Sequence, residues 1–193
     1  MAERRRPASK RPEPILRSGS IFLRPAERDD LPLFVSWLND DRTSRTLALR
    51  SPLSMALEEG WFARLLEHQG NDVWHFVICR AADSRPVGVV DLHEIDQVNG
   101  SAAIGIMIGD PADTNHGYGT GALTAIVDFA IGELRLERVW LDVYDFNDRA
   151  QHVYERVGFV HEGTLRHGLY RHGQFHNVHR MSILRAEWPP PRT

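Results

Sequence analysis

The sequence predicts one domain of the mixed α/β (α+β) class, in which helices flank a central, mostly antiparallel sheet. Its 193 residues suit a single domain of ordinary size. Its 42% hydrophobic content is sufficient for a substantial core. The hydrophobic and turn patterns follow the order β-α-α-β-β-β-α-β-α-β-β, so a loop, a helix and a returning strand interrupt a series of consecutive strands.

The first predicted elements are a strand and two helices. A short apolar run at 21–25, closed by proline, predicts the strand. Asp29 or Asp30 can cap a helix that has Pro32 in its first turn, where the missing N–H of proline costs little. Apolar residues at helical spacing predict the second helix over 54–68.

A block of three strands follows, predicted at 73–80, 86–93 and 101–109. The segments between them are rich in turn residues, so an antiparallel meander is expected. The single cysteine, Cys79, lies in an apolar run, which favours a buried and inert thiol over a nucleophile. One unpaired cysteine also fits a reducing compartment.

The second half begins with a loop at 109–120 and then a helix whose apolar residues recur from Leu123 to Leu134. Alternating residues predict a strand around 139–143. Asn147 can cap a further helix that Gly158 ends. Two last strands, at 159–166 and 175–185, are expected to pair through a turn at 172–173.

The composition of the chain ends predicts tails on either side of the domain. Residues 1–17 are rich in arginine and proline and predict a disordered basic tail; the domain then spans 18–188, and 189–193 form a C-terminal tail. No segment has the character of a signal peptide, and no apolar stretch is long enough to span a bilayer. We therefore expect a cytoplasmic protein without a membrane partner.

The overall charge bears on the class of partner. A formal net charge of −3 gives no support for a nucleic-acid binder, which would show a basic face. A mildly acidic protein suits a cationic or amine substrate.

The glycine-rich segment 114–122 is the most informative part of the chain. Its glycines allow backbone amides to approach a ligand, and the following helix directs its free N–H groups and positive dipole end to the same point. This arrangement suits a phosphate or pyrophosphate, although a flexible loop before a glycine-rich helix is the alternative. The segment has no lysine, which excludes the phosphate-loop NTPase pattern. The antiparallel block upstream disfavours a nicotinamide-dependent oxidoreductase.

Four segments together resemble the GNAT superfamily of acetyl-CoA-dependent N-acetyltransferases, closest to its RimJ/RimL-type branch. They occur in the family's order within a resemblance that covers about 21–188, and are residues 104–109, 117–123, 147–150 with 154–159, and 162–163 with 181–188.

The resemblance implies a GNAT-like sheet whose fourth and fifth strands splay apart, with the pantetheine arm of acetyl-CoA, the cosubstrate, between them. Tyr154 would protonate the departing thiolate and face the coenzyme together with Asn147, two helical turns earlier. A core tyrosine is the alternative reading of Tyr154. The backbone groups that would bind the arm belong to Ile106, Met107 and Ile108. The amides that would hold the pyrophosphate belong to His116, Gly117, Tyr118, Gly119 and Thr120.

The sequence departs from the family pattern at two positions. Thr114 stands where the pyrophosphate loop usually has Arg or Gln, and Ala103 stands where many members carry a glutamate base. Glu94 is the candidate base, in a cluster with Asp91, His93 and Asp96, and deprotonation through ordered water is an equal alternative.

The expected reaction is direct attack of a primary amine on acetyl-CoA in a ternary complex. The acceptor could be a protein N-terminus, a polyamine, an aminoglycoside or another small amine. The acidic segments 39–41 and 58–59 lie where the family shapes its acceptor pocket, with solvated helix ends as the equal alternative. A non-catalytic acyl-CoA-binding sensor is the alternative, and a homodimer is left open. No metal is predicted, because the histidines of the last two strands lack ligand spacing.

Overall fold

The computed structural model describes residues 16–50 and 52–189 of the chain. Within these residues the fold contains eight strands and five helices. The strands are β1 (Leu16–Ser18), β2 (Ile21–Pro25), β3 (Trp74–Arg80), β4 (Pro86–Asp96), β5 (Ser101–Ile108), β6 (Arg138–Tyr144), β7 (Val160–Arg171) and β8 (Gln174–Leu184). The helices are α1 (Leu31–Leu38), α2 (Asp41–Ser44), α3 (Met55–His68), α4 (Tyr118–Gly132) and α5 (Asp148–Val157). None of the described helices is long and apolar enough to cross a membrane.

The described strands form one sheet in the order β1-β2-β3-β4-β5-β6-β8-β7. Neighbours pair antiparallel except β5 and β6, which run parallel. The predicted meander of β3, β4 and β5 is confirmed, as is the hairpin that turns at 172–173. Because β8 pairs with β6, the hairpin places β7 at the sheet edge.

The sheet opens between β5 and β6. Their ladder joins only three residue pairs and ends where Ala103 lies opposite Trp140. Beyond this point residues 104–108 and 141–144 continue as strands, each paired on its outer side only. The resulting gap confirms the predicted splay of the two strands.

Two hydrophobic layers cover the sheet. On one face α4 and α5 pack against a large cluster that includes Val90, Leu92 and Tyr154. On the other face α1 and α3 pack against a smaller cluster that includes Cys79. Burial raises the pKa of the Cys79 thiol, which confirms the prediction of a buried cysteine without thiolate character.

The first strand corrects the predicted boundary of the domain. Leu16–Ser18 pairs antiparallel with β2, so Leu16 and Arg17 belong to the sheet and not to the tail. A three-residue strand is too short to show an alternating pattern in the sequence. Residues 1–15 and 190–193 of the predicted tails lie outside the described residues.

Two helix starts also differ from the predictions. Asp30 precedes α1 but does not cap it; both of its carboxylate oxygens accept hydrogen bonds from Arg24 at 2.7 Å, and one also accepts from the Glu27 amide. Helix α4 begins at Tyr118, before the apolar spacing that starts at Leu123, because glycines hide the helical pattern of its first turn. The short helix α2, capped by Asp40, was not predicted.

The placement of β1 generates a prediction about truncation. A chain that starts at Leu16 should keep the melting temperature and turnover of the full chain. A chain that starts at Gly19 loses β1 and the packing of Leu16 against the core, which we expect to cost about 2–4 kcal/mol. Its Tm should fall by about 5–15 °C in a thermal melt. Equal Tm values for the two truncated chains would show that β1 contributes nothing to stability.

Candidate active site

A cleft of about 1420 Å³ follows the gap between β5 and β6. Its walls come from several parts of the chain. One end of the cleft lies beside the start of α4, and the other end lies beside the end of β4. The lining residues are 41–48 without Ser44, 93–94, 103–108, Pro111, 113–120 without His116, Leu123, 140–150 without Asp145, positions 153, 154 and 156 of α5, and the hairpin positions 172, 174 and 176.

The start of α4 forms the first end of the cleft. Gly117 precedes the helix with a φ of +79°, a conformation that glycine adopts without strain, and no described side chain caps the helix there. The free amides of the first turn can therefore bind an anion. A Cβ placed on Gly119 would lie 4.0 Å from Ile108 Cγ1, so the space above this residue is open to a ligand.

Four of the five predicted pyrophosphate residues line the cleft, together with Thr114 and Asn115. The four are Gly117, Tyr118, Gly119 and Thr120. His116 is not part of the cleft wall: its ring stacks on Tyr118 at 5.5 Å, and its Nε2 lies 3.2 Å from the Ala112 carbonyl oxygen. Spacing in a loop does not reveal this orientation, because the positive φ of Asn115 turns the chain there.

The predicted arm-binding residues Ile106, Met107 and Ile108 line the cleft along β5. They lie beyond Ala103, where the pairing with β6 has ended. The backbone N–H and C=O groups on this side of β5 are therefore available to an extended ligand.

Helix α5 presents Asn147 and Tyr154 to the same cleft. Asn147 Oδ1 accepts a hydrogen bond from the Ala150 amide at 3.3 Å and so begins the helix. Tyr154, two turns later, is only 9% exposed and packs edge-on against Phe159. It is thus both a core residue and a cleft residue. Burial raises the pKa of Tyr154 to about 12, which keeps the phenol protonated near neutral pH and able to donate its proton.

The end of β4 forms the opposite end of the cleft. A β-bulge between His93 and Asp96 leaves Glu94 with a φ of +49° and an exposed side chain. His93 and Glu94 both line the cleft. Asp96 instead accepts hydrogen bonds from the amides of Val98 and Asn99 and closes the following turn. Of the four clustered residues, Asp96 therefore has a structural role.

Strand β6 contributes an aromatic and an acidic side chain, Trp140 and Asp142, which lie on one face of the strand and line the cleft. Asp142 binds the Arg180 guanidinium through two hydrogen bonds of 2.9 Å, and this guanidinium stacks over Trp140 at 3.9 Å. The hydrogen bond to Asp142 raises the pKa of Arg180, and the charge of Glu94 adds to the effect. The Arg180 guanidinium therefore interacts with both carboxylates, with Asp142 through hydrogen bonds and with Glu94 through its charge.

The remaining wall, residues 41–48, is held by contacts that the sequence did not predict. Buried Arg171, at the tip of the hairpin, donates hydrogen bonds to the carbonyl oxygens of Ser44 at 2.7 Å and Leu49 at 2.8 Å. Thr43 Oγ1 donates to the Gly109 carbonyl at 2.8 Å. These hydrogen bonds join the wall to the hairpin and to the end of β5.

The acidic segments expected near the acceptor have different positions. Asp41 lines the cleft, whereas Asp40 caps α2 and pairs with Arg42. Glu58 is buried on α3 outside the cleft wall, where burial raises its pKa, and Glu59 also lies outside it. His172 and His176 line the cleft, while His161 and His179 both contact Thr164. Within the described residues, no group of three or more His, Cys, Asp or Glu could hold a metal ion.

Comparison with known proteins places this architecture in a family. The family model described as an acetyltransferase (GNAT) domain matches residues 20–160. The spermidine N(1)-acetyltransferase of Escherichia coli (strain K12) is 30% identical over 169 residues, 88% of each chain. YdaF of Bacillus subtilis (strain 168), a candidate ribosomal N-acetyltransferase, is 37% identical over 106 residues, but this match spans only 55% of this chain and 57% of that relative.

Solved structures give the same result. The spermidine N-acetyltransferase of Vibrio cholerae, crystallised with CoA and spermine, superimposes with a TM-score of 0.81 at 27% identity, over 87% of this chain and 97% of that one. The open sheet, the uncapped helix start beside the gap and these matches agree. The chain belongs to the GNAT family of acetyltransferases and is an enzyme with acetyl-CoA as its cosubstrate.

Proposed function

We propose that this enzyme transfers the acetyl group of acetyl-CoA to a primary amine of an aliphatic polyamine, by direct attack in a ternary complex. The observation that carries the proposal is similarity to spermidine N-acetyltransferases over 88% of both chains, a match too long to be confined to the coenzyme end of the cleft. The ribosomal-type relative matches over only about half of each chain, so it gives weaker support for a protein N-terminus as acceptor or for the RimJ/RimL-type branch.

The chemistry of the acceptor end agrees with a polyamine. The exposed carboxylate of Glu94 attracts an ammonium group, and Asp41 adds a second negative charge to the cleft wall. Tyr144 and Phe146 offer aromatic surface to the methylene segments and to a cationic nitrogen. A polyamine alternates these two kinds of group along its length.

The coenzyme end supports the roles predicted for the loop and for helix α5. The pyrophosphate would bind the free amides at the start of α4, and the pantetheine arm would lie along β5 beyond Ala103. The Tyr154 hydroxyl, protonated and buried beside the cleft, would then give its proton to the CoA thiolate as it leaves.

Two further assignments stay predictions. A homodimer or larger assembly has support from a Vibrio cholerae relative, 28% identical with a TM-score of 0.73, whose structure is described as dodecameric. Exposed Leu165, Tyr170 and Phe175 on the hairpin supply apolar surface for such contacts. The second assignment is the cytoplasmic location.

An acceptor comparison tests the proposed function. With acetyl-CoA, spermidine and spermine should release free thiol with a higher kcat/KM than n-butylamine, which has one amine only, and than a peptide N-terminus. Glu94→Gln should lower kcat/KM for spermidine about two- to tenfold, because one charged contact is lost, with little effect on n-butylamine. Preference for the peptide over both polyamines would contradict the proposal.

The coenzyme site is tested at Gly119. Gly119→Asp places a negative charge beside the expected pyrophosphate, so the Kd for acetyl-CoA should rise at least about tenfold, or ~1.4 kcal/mol. Gly119→Asn is the matched control, since it adds the same volume without the charge. Calorimetric titration of both variants measures the difference. Equal affinities of the Asp and Asn variants would place the pyrophosphate elsewhere.

The role of Tyr154 is tested by Tyr154→Phe, which removes only the hydroxyl. A general acid contributes ~10²–10⁴-fold to a rate, so turnover should fall at least about tenfold even if water substitutes in part. Acetyl-CoA affinity and Tm should barely change, because the ring keeps its packing against Phe159. A Tyr154→Phe enzyme with full turnover would show that the residue serves the core alone.

A further inference from the structure

Strands β4 and β5 place a histidine at the apex of the gap. Their register sets His93 opposite Ala103 and Asp91 opposite Gly105, on the same face of the sheet. Ala103 is also the last residue of β5 that pairs with β6. His93 therefore lies where the two strands separate, beside the position at which the pattern of the family would have a glutamate.

His93 is held there by a carboxylate. Its Nδ1 lies 2.6 Å from Asp91 Oδ1, and the His93 side chain is 44% exposed within the cleft wall. In the neutral ring, an Nδ1–H that donates to Asp91 leaves the Nε2 lone pair free to accept a proton. A short, charge-assisted hydrogen bond fixes both the tautomer and the ring orientation.

The residue opposite Asp91 leaves room for this arrangement. A Cβ on Gly105 would lie 2.7 Å from Asp91 Oδ2, closer than real Cβ contacts come, and 3.1 Å from Oδ1, tighter than most of them. With any other residue at this position, the Asp91 carboxylate would have to shift from its place over β5. Ala103, the small residue beside it, likewise leaves space over which the imidazole of His93 can extend.

A second imidazole lies behind the carboxylate. His75 on β3 has its Nδ1 3.9 Å from Asp91 Oδ2 and is buried against the ring of Trp61 at 5.0 Å. Burial lowers the pKa of His75 even though Asp91 opposes the effect, so this ring stays neutral. The charged and titratable groups around His93 are therefore Asp91 and Glu94 from β4 and neutral His75 from β3, with Arg180 of β8 next to Glu94.

We propose that His93 is the catalytic base that removes the proton from the acceptor ammonium, and that Asp91 is its positioning residue. The inference rests on the proposed transfer of acetyl to an amine and holds for any primary amine that the enzyme accepts. His93 of β4 would thus remove the proton in place of the glutamate that the family pattern has at the position of Ala103 in β5.

Two side chains, His93 and Tyr154, are sufficient to balance the protons of the reaction. The acceptor ammonium gives one proton to His93 Nε2, and the freed nitrogen lone pair attacks the thioester carbon. The C–N bond forms as the carbonyl becomes a tetrahedral oxyanion; collapse of this intermediate breaks the C–S bond, and the thiolate takes the Tyr154 proton. The second N–H proton of the intermediate restores Tyr154, and His93 releases its proton to water. The net products are the acetamide, CoA thiol and one proton.

The dyad predicts a pH dependence with a defined sign. The hydrogen bond to Asp91 raises the pKa of His93 above its ordinary value, with Glu94 adding to it, whereas burial acts in the opposite direction. A base acts only when unprotonated, so activity falls as the pH drops through this raised pKa. Removal of the Asp91 charge lowers the pKa and should move the loss of activity to lower pH.

The test is a pH–rate series between about pH 5.5 and 8.5 with the amine that the wild-type enzyme turns over fastest. His93→Asn keeps a donor near Asp91 but has no base; its kcat should fall at least about tenfold and lose the acidic limb. Asp91→Asn should keep the limb but shift it down by about one pH unit. In His93→Ala, added imidazole should restore part of the rate.

His68→Gln is the matched control. His68 forms an exposed pair with Asp72, at 2.8 Å, outside the cleft wall, so its loss should leave the profile unchanged. Thermal melts and acetyl-CoA titrations establish that each variant is folded and binds the coenzyme. A wild-type profile in folded His93→Asn would overturn the proposal. Loss of the acidic limb in Glu94→Gln, with the limb intact in His93→Asn, would assign the base to Glu94. The polyamine proposal fails separately, by the acceptor comparison on the wild-type enzyme.

Discussion

Strands β5 and β6 share three residue pairs and then separate. The candidate site residues line the gap that this separation opens. A parallel ladder that ends early leaves one edge of each strand with unpaired backbone groups inside the domain. Such groups are costly unless water or a ligand binds them, so the gap is at once a weakness of the sheet and a candidate binding groove. The uncapped start of α4 lies at one end of the gap and the His93 apex at the other.

The two faces of the sheet hold their sides of the groove by different forces. On the proposed coenzyme side, Tyr154 is part of the large hydrophobic cluster, so its position follows from close packing. On the proposed acceptor side, residues 41–48 are joined to the rest of the fold by hydrogen bonds from Arg171 and Thr43 to backbone carbonyls. A hydrogen bond from a charged donor contributes about 1.5–3 kcal/mol, so each one is a large share of what holds this wall. The shape of one cleft wall is therefore set by the close packing of apolar side chains. The shape of the other wall is set by a few directional hydrogen bonds.

The parts that sequence reasoning found are those whose signals are local. Helical spacing located α3, α4 and α5, turn residues located the meander, and the glycines of 117–121 indicated an anion site. The sequence also showed that Asp91, His93, Glu94 and Asp96 cluster. Which of them face the cleft depended on the bulge, because it breaks the two-residue alternation and brings both His93 and Glu94 to one wall. The acceptor wall was hidden for a related reason: its anchors come from residues far away along the chain.

That separation has a consequence for how the acceptor range of this enzyme can change. Arg171 and Ser44 are 127 positions apart, and the hairpin that carries Arg171 has no part in the start of α4 or in the β5 edge that faces the coenzyme. An insertion or deletion in the β7–β8 hairpin would displace Arg171 and, with it, the far wall of the cleft. In the proposed function, the depth of the amine-binding end of the cleft can thus vary while the coenzyme end stays constant, which allows amines of different length to share one acetyl donor.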